Sequence, residues 1–220
     1  MEKMLCPICK GKTVKNGFQN NKQRYKCKNC GKRFQQTYTY HAYKATTNYF
    51  IKSLLKEGCG VRSIGRILNI STKTVLSRML KISKQIKAPC FSKHSCKFEV
   101  DEMFIKIANG KSQNWLIYAI EQKTKHIVNF IIGGRNKENI KSVINKVLLL
   151  EPIKIYTDKL PIYKSLIPTA IHKRFQYCTN KIERMNLNLR MHIKRLSRKT
   201  ICFTRNEKYL EAHLRIYFWS

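Results

Sequence analysis

Two groups of residues in this 220-residue chain have the types and spacing to do chemistry. The first is a pair of CxxC knuckles, Cys6-Pro7-Ile8-Cys9 and Cys27-Lys28-Asn29-Cys30, separated by seventeen residues. Each turn brings two thiolates to one point, and four thiolates close a tetrahedron around zinc. Lys10-Gly11-Lys12 and Gly31-Lys32 supply the tight turn each knuckle needs. The second group is acidic. The chain has only two aspartates, Asp101 and Asp158, and each falls in or at the end of a predicted strand, where aspartate is disfavoured. Glu183 follows 25 residues after Asp158 on a predicted helix. Two strand aspartates and a helix glutamate can converge on one or two hard divalent cations, magnesium or manganese, which take oxygen ligands and share them with substrate phosphates. Such ions activate a water or a 3′-hydroxyl and stabilise the leaving oxygen in phosphodiester chemistry. From the residues alone two points stay open. Strand alternation puts Asp101 and Glu102 on opposite faces and periodicity does not choose between them. Balancing nearby lysines would also account for these acids.

The elements that must position these groups follow from the pattern of apolar residues. Around the cysteines, Arg24-Tyr25-Lys26 and Phe34 read as short strands of a zinc ribbon over residues 1–38, with metal supplying most of its stability. Residues 44–88 turn helical in three pieces. Tyr49 to Lys56 is a first helix ended by Gly58-Cys59-Gly60, and Val61, Ile64, Ile67 and Leu68 line a second. Ser71 caps a third, with Val75, Leu76, Met79 and Leu80 inward and Lys73, Thr74 and Arg78 outward. This is a helix-turn-helix pattern whose third helix reads the major groove, with Arg62 on the second helix beside it. Lys87 to Lys97, with Pro89 and no periodicity, reads as a linker.

Beyond it, residues 97–220 read as a mixed-sheet α/β domain. Strands are expected at Phe98–Ile107, Trp115–Ile120 and His126–Ile132, a helix at Asn136–Leu150, a short strand at Lys154–Thr157 and a long helix from Thr179 to about Arg198. The last helix carries the stripe Ile182, Met185, Leu189, Ile193 and Leu196, with Glu183 at its edge and Asn186 and Arg190 at helical spacing beyond.

Charge names the partner. Forty-five Lys and Arg against twelve Asp and Glu leave a net +33, a self-repulsion that makes sense beside a polyanion. Residues 1–96 hold 21 basic and 2 acidic side chains and residues 97–220 hold 24 and 10, so both halves are expected to touch double-stranded DNA. Lys194, Arg195, Arg198 and Lys199 form a basic run past the acidic site, suited to tracking phosphate. No run of eighteen apolar residues suggests a membrane span, and Met1 to Leu5 lacks the apolar core of a secretory signal. A cytoplasmic, nucleoid-associated location in a prokaryote is the expectation. In that reducing setting Cys59, Cys90, Cys96, Cys178 and Cys202 read as ordinary part-buried thiols. His172 and His192 read as surface or core residues rather than bases, and Trp115, Tyr118 and Tyr156 as core.

Val100-Asp101-Glu102-Met103, Trp115-Leu116-Ile117-Tyr118-Ala119, Gly133-Gly134-Arg135, Tyr156-Thr157-Asp158, Ile182-Glu183-Arg184-Met185-Asn186 and Leu196-Ser197-Arg198-Lys199-Thr200 together resemble transposases of the insertion-sequence-one family. The resemblance covers nearly the whole chain, since that family also begins with a CxxC knuckle pair and a helix-turn-helix. It implies a ribonuclease H-like catalytic domain with a DDE triad at Asp101, Asp158 and Glu183, which selects Asp101 over Glu102. Arg190, seven residues after the glutamate, is implied to hold DNA beside it. The family pattern further implies binding to the terminal inverted repeats of an insertion element, with strand cleavage and transfer into target DNA. Phe104 departs from it, standing where relatives are expected to carry tryptophan. Bringing two element ends together needs at least a homodimer. Two rivals remain: a DNA-binding regulator derived from such an element with an inactive core, and a structure-specific nuclease on the same fold.

Overall fold

The computed structural model of the chain describes residues 4–38, 42, 44–91, 96–107, 113–174, 179–198 and 202–220. The chain divides into two compact units, 1–47 and 48–220. In the first, β1 (Thr13–Gln19), β2 (Lys22–Cys27) and β3 (Arg33–Gln35) form an antiparallel sheet in that order. The two knuckles are built alike. Cys6 N–H donates to Gly11 O and Lys10 N–H to Cys6 O, while Cys27 N–H donates to Lys32 O and Gly31 N–H to Cys27 O. Gly31 sits at φ +68, a left-handed position that glycine takes without a Cβ penalty. Apolar burial here is slight, with Tyr25 stacked on a buried Phe34 at 5.8 Å.

The second unit begins with α1 (Thr47–Lys56), α2 (Val61–Ile67) and α3 (Thr72–Gln85). Ser71 caps α3 as expected, its Oγ accepting from Thr74 N–H at 3.1 Å. The inward face differs from the expected one in detail. Ile64, Gly65, Val75, Met79, Ile82 and Ser83 are buried, Leu76 and Leu80 are half-buried, and Ile67 is 58% exposed. Gly65 is required by the tight turn into α3, because a Cβ there would lie 2.9 Å from the Ile70 carbonyl oxygen.

A five-stranded mixed sheet follows, built from β4 (Lys97–Ile105), β5 (Asn114–Glu121), β6 (Ile127–Gly133), β7 (Lys154–Tyr156) and β8 (His172–Lys173). Its order is β6-β5-β4-β7-β8, with β4, β5 and β6 antiparallel neighbours and β4, β7 and β8 parallel. Helix α4 (Lys137–Leu148) crosses from β6 to β7 and α5 (Pro161–Lys164) follows β7. Helix α4 is capped by Asn136, whose Oδ1 accepts from Asn139 N–H, and buries Ile140, Val143, Ile144 and Val147. These pack with Phe98, Val100, Ile117, Ala119 and Tyr163 on one face of the sheet. The opposite face, with Met103, Leu116, Tyr118 and Phe130, is covered by α6 (Asn180–His192) and α7 (Glu207–Trp219) through Ile182, Leu189, Leu210 and Leu214. Strand alternation across β4 feeds both cores, which is why its apolar run is nearly continuous.

Two sequence expectations are corrected here. The helix expected to reach Arg198 stops at His192, where Ile193 turns to φ −101, ψ 90 and a 3-10 turn, Lys194–Leu196, takes over. Ser197 Oγ donates to the Arg190 carbonyl at 2.6 Å, satisfying an acceptor of the last helical turn. Ile193 and Leu196 continue the apolar stripe and are buried, so the pattern outlasts the helix. The second concerns the thiols: Cys96 is buried and Cys59 half-buried, but Cys90 and Cys202 are exposed. Cys178, like Lys199, lies outside the described residues.

Helix α7 was not foreseen, and it ties the unit together. Helix α3 packs along it. His213 Nε2 donates to the Leu55 carbonyl at the end of α1, 3.3 Å away, and Lys56 Nζ bonds the Ser220 carbonyl. Gly58, at φ +76, passes so close to the end of α6 that a Cβ would meet His192 O at 2.5 Å. Among the described residues no helix is long and apolar enough to cross a membrane.

Candidate active site

The four cysteines of the first unit have Sγ atoms within 4.8 Å of one another. Cys6 and Cys30 sulfurs are 3.6 Å apart, Cys9 and Cys27 sulfurs 3.4 Å. Zinc–sulfur bonds of about 2.3 Å set the edges of a regular ZnS4 tetrahedron near 3.8 Å, so the cluster fits that ion with little adjustment. Backbone N–H groups of Cys9 and Ile8 aimed at Cys6 lower its pKa to about 6, and the Cys30 N–H lowers Cys27 likewise, whereas Cys9, against the pull of the Gly11 N–H, is pushed up to about 12 by the neighbouring sulfurs of Cys27 and Cys30. Amides that stabilise thiolate in this way prepare the Cys6 and Cys27 sulfurs as ligands.

In the second unit β4 presents the neighbouring Asp101 and Glu102 to opposite faces. Asp101 points toward α6, where Asn186 Nδ2 donates to its Oδ2 at 2.7 Å. Tyr118, directly across the β4–β5 register from Asp101, donates its hydroxyl to Asn186 Oδ1 at 2.7 Å and so fixes the amide's orientation. Burial raises the Asp101 pKa, as do the charges of Asp158 and Glu183; the Glu102 N–H and Asn186 oppose the rise. Glu102 points to the other face, its side chain fully buried. Tyr163 donates to its Oε1 at 2.6 Å and an Arg135 Nη lies 3.3 Å from its Oε2. Burial raises the Glu102 pKa against the pull of Tyr163 and Arg135.

Asp158 arrives by strand pairing. Parallel β4 and β7 align Glu99 with Tyr156, so two residues further on Asp158 comes level with Asp101. Its Oδ1 accepts from Leu160 N–H at 2.9 Å, an Asx turn that starts α5. The preceding Thr157 is buried and its hydroxyl contacts His172 Nε2 at 2.8 Å, which accounts for that histidine structurally. Asp101, Glu102 and Asp158 offer carboxylate oxygens within 4.8 Å of one another. Hard oxygen donors of this density suit magnesium or manganese rather than a soft ion.

Glu183 stands outside that close group among the described residues. It is exposed in the first turn of α6, accepting from Thr179 Oγ1 at 2.9 Å, and near enough for its charge to act on Asp101. Arg190, two turns along, has a buried Nε without a hydrogen-bond partner, and burial lowers the pKa of its guanidinium, aided by Arg198 and opposed by Tyr118 and Asp101. Of the basic residues singled out in the sequence, Arg62, Lys73, Lys194 and Arg198 are exposed. Thr74 is half-buried at the α3 cap, and Arg78 reaches to 3.5 Å from Asn48 Oδ1. Arg195 is turned inward, half-buried, with Nη1 donating to Thr204 Oγ1 at 3.2 Å. His192 Nδ1 meets the Tyr217 hydroxyl at 2.7 Å. Tyr118 is buried as expected of core, while Trp115 and Tyr156 are only half-buried.

Sequence reasoning missed Glu99. This residue is 1% exposed, and its Oε2 accepts from Ile182 N–H at 2.8 Å while its Oε1 accepts from Gln122 at 3.1 Å. Thr179 gives α6 no side-chain cap; a carboxylate from the neighbouring strand does that work. The signal was a glutamate on the apolar face of β4, two residues before Asp101. Arg135 was noted only as part of a motif, and here it touches both Glu102 and Asp158.

A model of the IS1 transposase family matches residues 95–218. The insertion element IS1 protein InsB of Shigella flexneri is 31% identical over 115 residues, 52% of this chain and 86% of that protein. The iso-IS1n protein InsB of Shigella dysenteriae is 35% identical over 121 residues, 54% of this chain and 88% of that one. InsB of IS1 4 from Escherichia coli K12 is 31% identical over 115 residues, 52% of this chain and 67% of that protein. Among solved structures, a chain of the simian T-cell lymphotropic virus intasome in complex with PP2A regulatory subunit B56 gamma aligns with a TM-score of 0.40 and 16% identity, covering 74% of this chain and 66% of that one. Since the family match begins just before the strand bearing Asp101 and runs through most of α7, taking in every acidic residue of the site, this chain belongs to the IS1 transposase family.

Proposed function

We propose that the chain is a DDE-type DNA transposase: it binds the terminal inverted repeats of an insertion element and catalyses divalent-metal-dependent cleavage and transfer of DNA strands. The observation that carries this is the level placement of Asp101 and Asp158 by adjacent parallel strands, with Asn186 of α6 hydrogen-bonded to Asp101; Glu183 and Arg190, three residues before and four after Asn186 on that helix, would complete the site. The strand order, three antiparallel strands then a helix and two further strands parallel to the first, supports a ribonuclease H-like catalytic domain. Asp101, Asp158 and Glu183 would hold magnesium or manganese. Such an ion supplies, when bound, an activated water or 3′-hydroxyl and charge neutralisation at the leaving oxygen.

The protein's own part is positioning. Asn186 holds Asp101 Oδ2 and the Leu160 N–H holds Asp158 Oδ1, while Arg135 lies 3.6 Å from Asp158 Oδ2. Arg190, with its unpartnered buried Nε, would receive a DNA phosphate. The cysteine cluster would hold structural zinc, making the first unit a zinc ribbon, and α1–α3 would act as a helix-turn-helix with Arg62, Lys73, Thr74 and Arg78 toward DNA. Lys194, Arg198 and Lys199 would track phosphate beyond the site; Arg195 serves that run through its packing on Thr204. Assembly on DNA as a dimer or larger follows from the need to hold two ends. The test is cleavage and joining of a labelled element-end duplex with magnesium, comparing the native protein with Asp158→Asn. Activity only in the native protein, with equal end binding in both, is the expected result. Equal inactivity despite tight, sequence-selective binding would refute catalysis.

A further inference from the structure

The Arg135 guanidinium lies in the gap between two of the three clustered acids. It is 3.3 Å from Glu102 Oε2 and 3.6 Å from Asp158 Oδ2, and it rests 4.8 Å from the centre of the Trp115 ring. The remaining oxygens on those two acids are already committed, Glu102 Oε1 to Tyr163 and Asp158 Oδ1 to Leu160 N–H. Asp158 Oδ2 is therefore the oxygen that both the guanidinium and an incoming divalent ion need. Trp115 in turn stands edge-on to Phe104, which is 49% exposed, so the aromatic shelf extends outward from the site.

We propose that Arg135 is a positioning residue that acts as the resident cation of the acidic cluster: it holds Asp158 beside buried Glu102 before metal arrives, and yields Asp158 Oδ2 to the divalent ion by pivoting on the Trp115 ring against which it already rests. This rests on the metal-dependent reading above. Three carboxylates this close repel one another, and a fixed positive charge offsets that repulsion while the site is empty of metal. A guanidinium is suited to the task, because its planar face keeps a favourable contact with an aromatic ring while its edge releases a carboxylate. Glu102 is then no ligand but the anchor that keeps Arg135 near after release.

The two flanking contacts predict opposite effects, which separates this role from a merely structural one. Arg135→Gln removes the competing cation, so manganese should bind about tenfold more tightly, about 1.4 kcal/mol. Trp115→Leu removes the shelf, so release costs more and binding should weaken about threefold. The measurement is manganese binding to the full chain, zinc-saturated and without DNA, followed by electron paramagnetic resonance of the free ion. Folding of each variant is checked by circular dichroism. Unchanged or weaker binding by folded Arg135→Gln overturns the proposal. If that variant does not fold, Trp115→Leu decides, and unchanged or tighter binding there overturns it too. Asp158→Asn serves as the separate control: binding equal to the native protein, or none by the native protein itself, defeats the metal reading rather than the role of Arg135.

Discussion

Replacing Glu99 by alanine should destabilise the larger unit by about 2–4 kcal/mol. The figure follows from three losses at one buried point. Ile182 N–H, in the first turn of α6, loses its acceptor at 2.8 Å, and an unsatisfied buried donor costs about 1–3 kcal/mol. The helix N-terminus also loses a carboxylate, worth about 0.3–1 kcal/mol. Gln122 loses its partner at 3.1 Å, a smaller cost because that amide has access to water. Glu99→Gln keeps an acceptor of the same shape for Ile182 and should cost no more than about 1–1.5 kcal/mol. Urea denaturation followed by helical circular dichroism measures both, and in a unit of this size 3 kcal/mol corresponds to about 6–12 °C in Tm. Because Ile182 adjoins Glu183, strand cleavage by the alanine variant should fall at temperatures where it is still fully folded. A loss of stability below about 1 kcal/mol for Glu99→Ala would refute the argument that this residue caps α6.

Other outcomes follow from the same geometry. Stripping metal with a chelator should release one zinc per chain, since four sulfurs form one cluster, and unfold residues 4–38 while the helical signal of the larger unit persists; metal analysis with circular dichroism reads both. Burial pushes the pKa of His213 down to about 4 and holds it neutral. An unfolded chain takes up this proton below about pH 6.5 and the folded one does not, so stability should fall as pH drops from 6.5 toward 4, by up to about 3 kcal/mol, and His213→Gln should flatten that slope in denaturant titrations. Gly65→Ala forces a Cβ to within 2.9 Å of a backbone carbonyl and should cost about 1–3 kcal/mol; a change under about 0.5 in urea unfolding would show that the α2–α3 turn has room. Tyr163→Phe strips the buried Glu102 carboxylate of its 2.6 Å donor and should cost about 1–3 kcal/mol by the same assay.

What could be read from sequence was what the chain writes locally. Cys6, Cys9, Cys27 and Cys30 announce their cluster because each pair is set by one turn. Asp101 and Asp158 stood out because nothing in strand propensity calls for them. The parallel pairing that brings those two level joins segments more than fifty residues apart and leaves no local trace, and β8 is two residues long, too short for any period to show. Glu99 and Arg135 were legible as residue types but not as partners, since their roles exist only across strand-to-helix and strand-to-strand gaps. Helix α7 escaped notice because Leu210, Ala212, His213, Leu214 and Ile216 are buried around more than one face, blurring the single stripe that marks a surface helix. At Ile193 the opposite error arose: an apolar period persisted after the backbone had left the α conformation.

The packing of α3 along α7 bears on how such proteins can diversify. Segments that recognise DNA are commonly imagined as cassettes, exchangeable at a linker such as the stretch near Pro89. Here α3 packs along a helix encoded more than a hundred residues later, Leu55 and Lys56 of α1 are hydrogen-bonded to it and to Ser220, and Gly58 grazes the end of α6 with no space for a side chain. A crossover between two diverged copies within residues 86–96 would join one parent's α3 to the other's α7, with side-chain volumes never selected to fit. Under the DNA-binding role proposed for α1–α3, exchange of specificity by recombination should therefore succeed only when both ends of the coding sequence come from the same parent, or when the swap is confined to exposed positions such as Arg62 and Lys73.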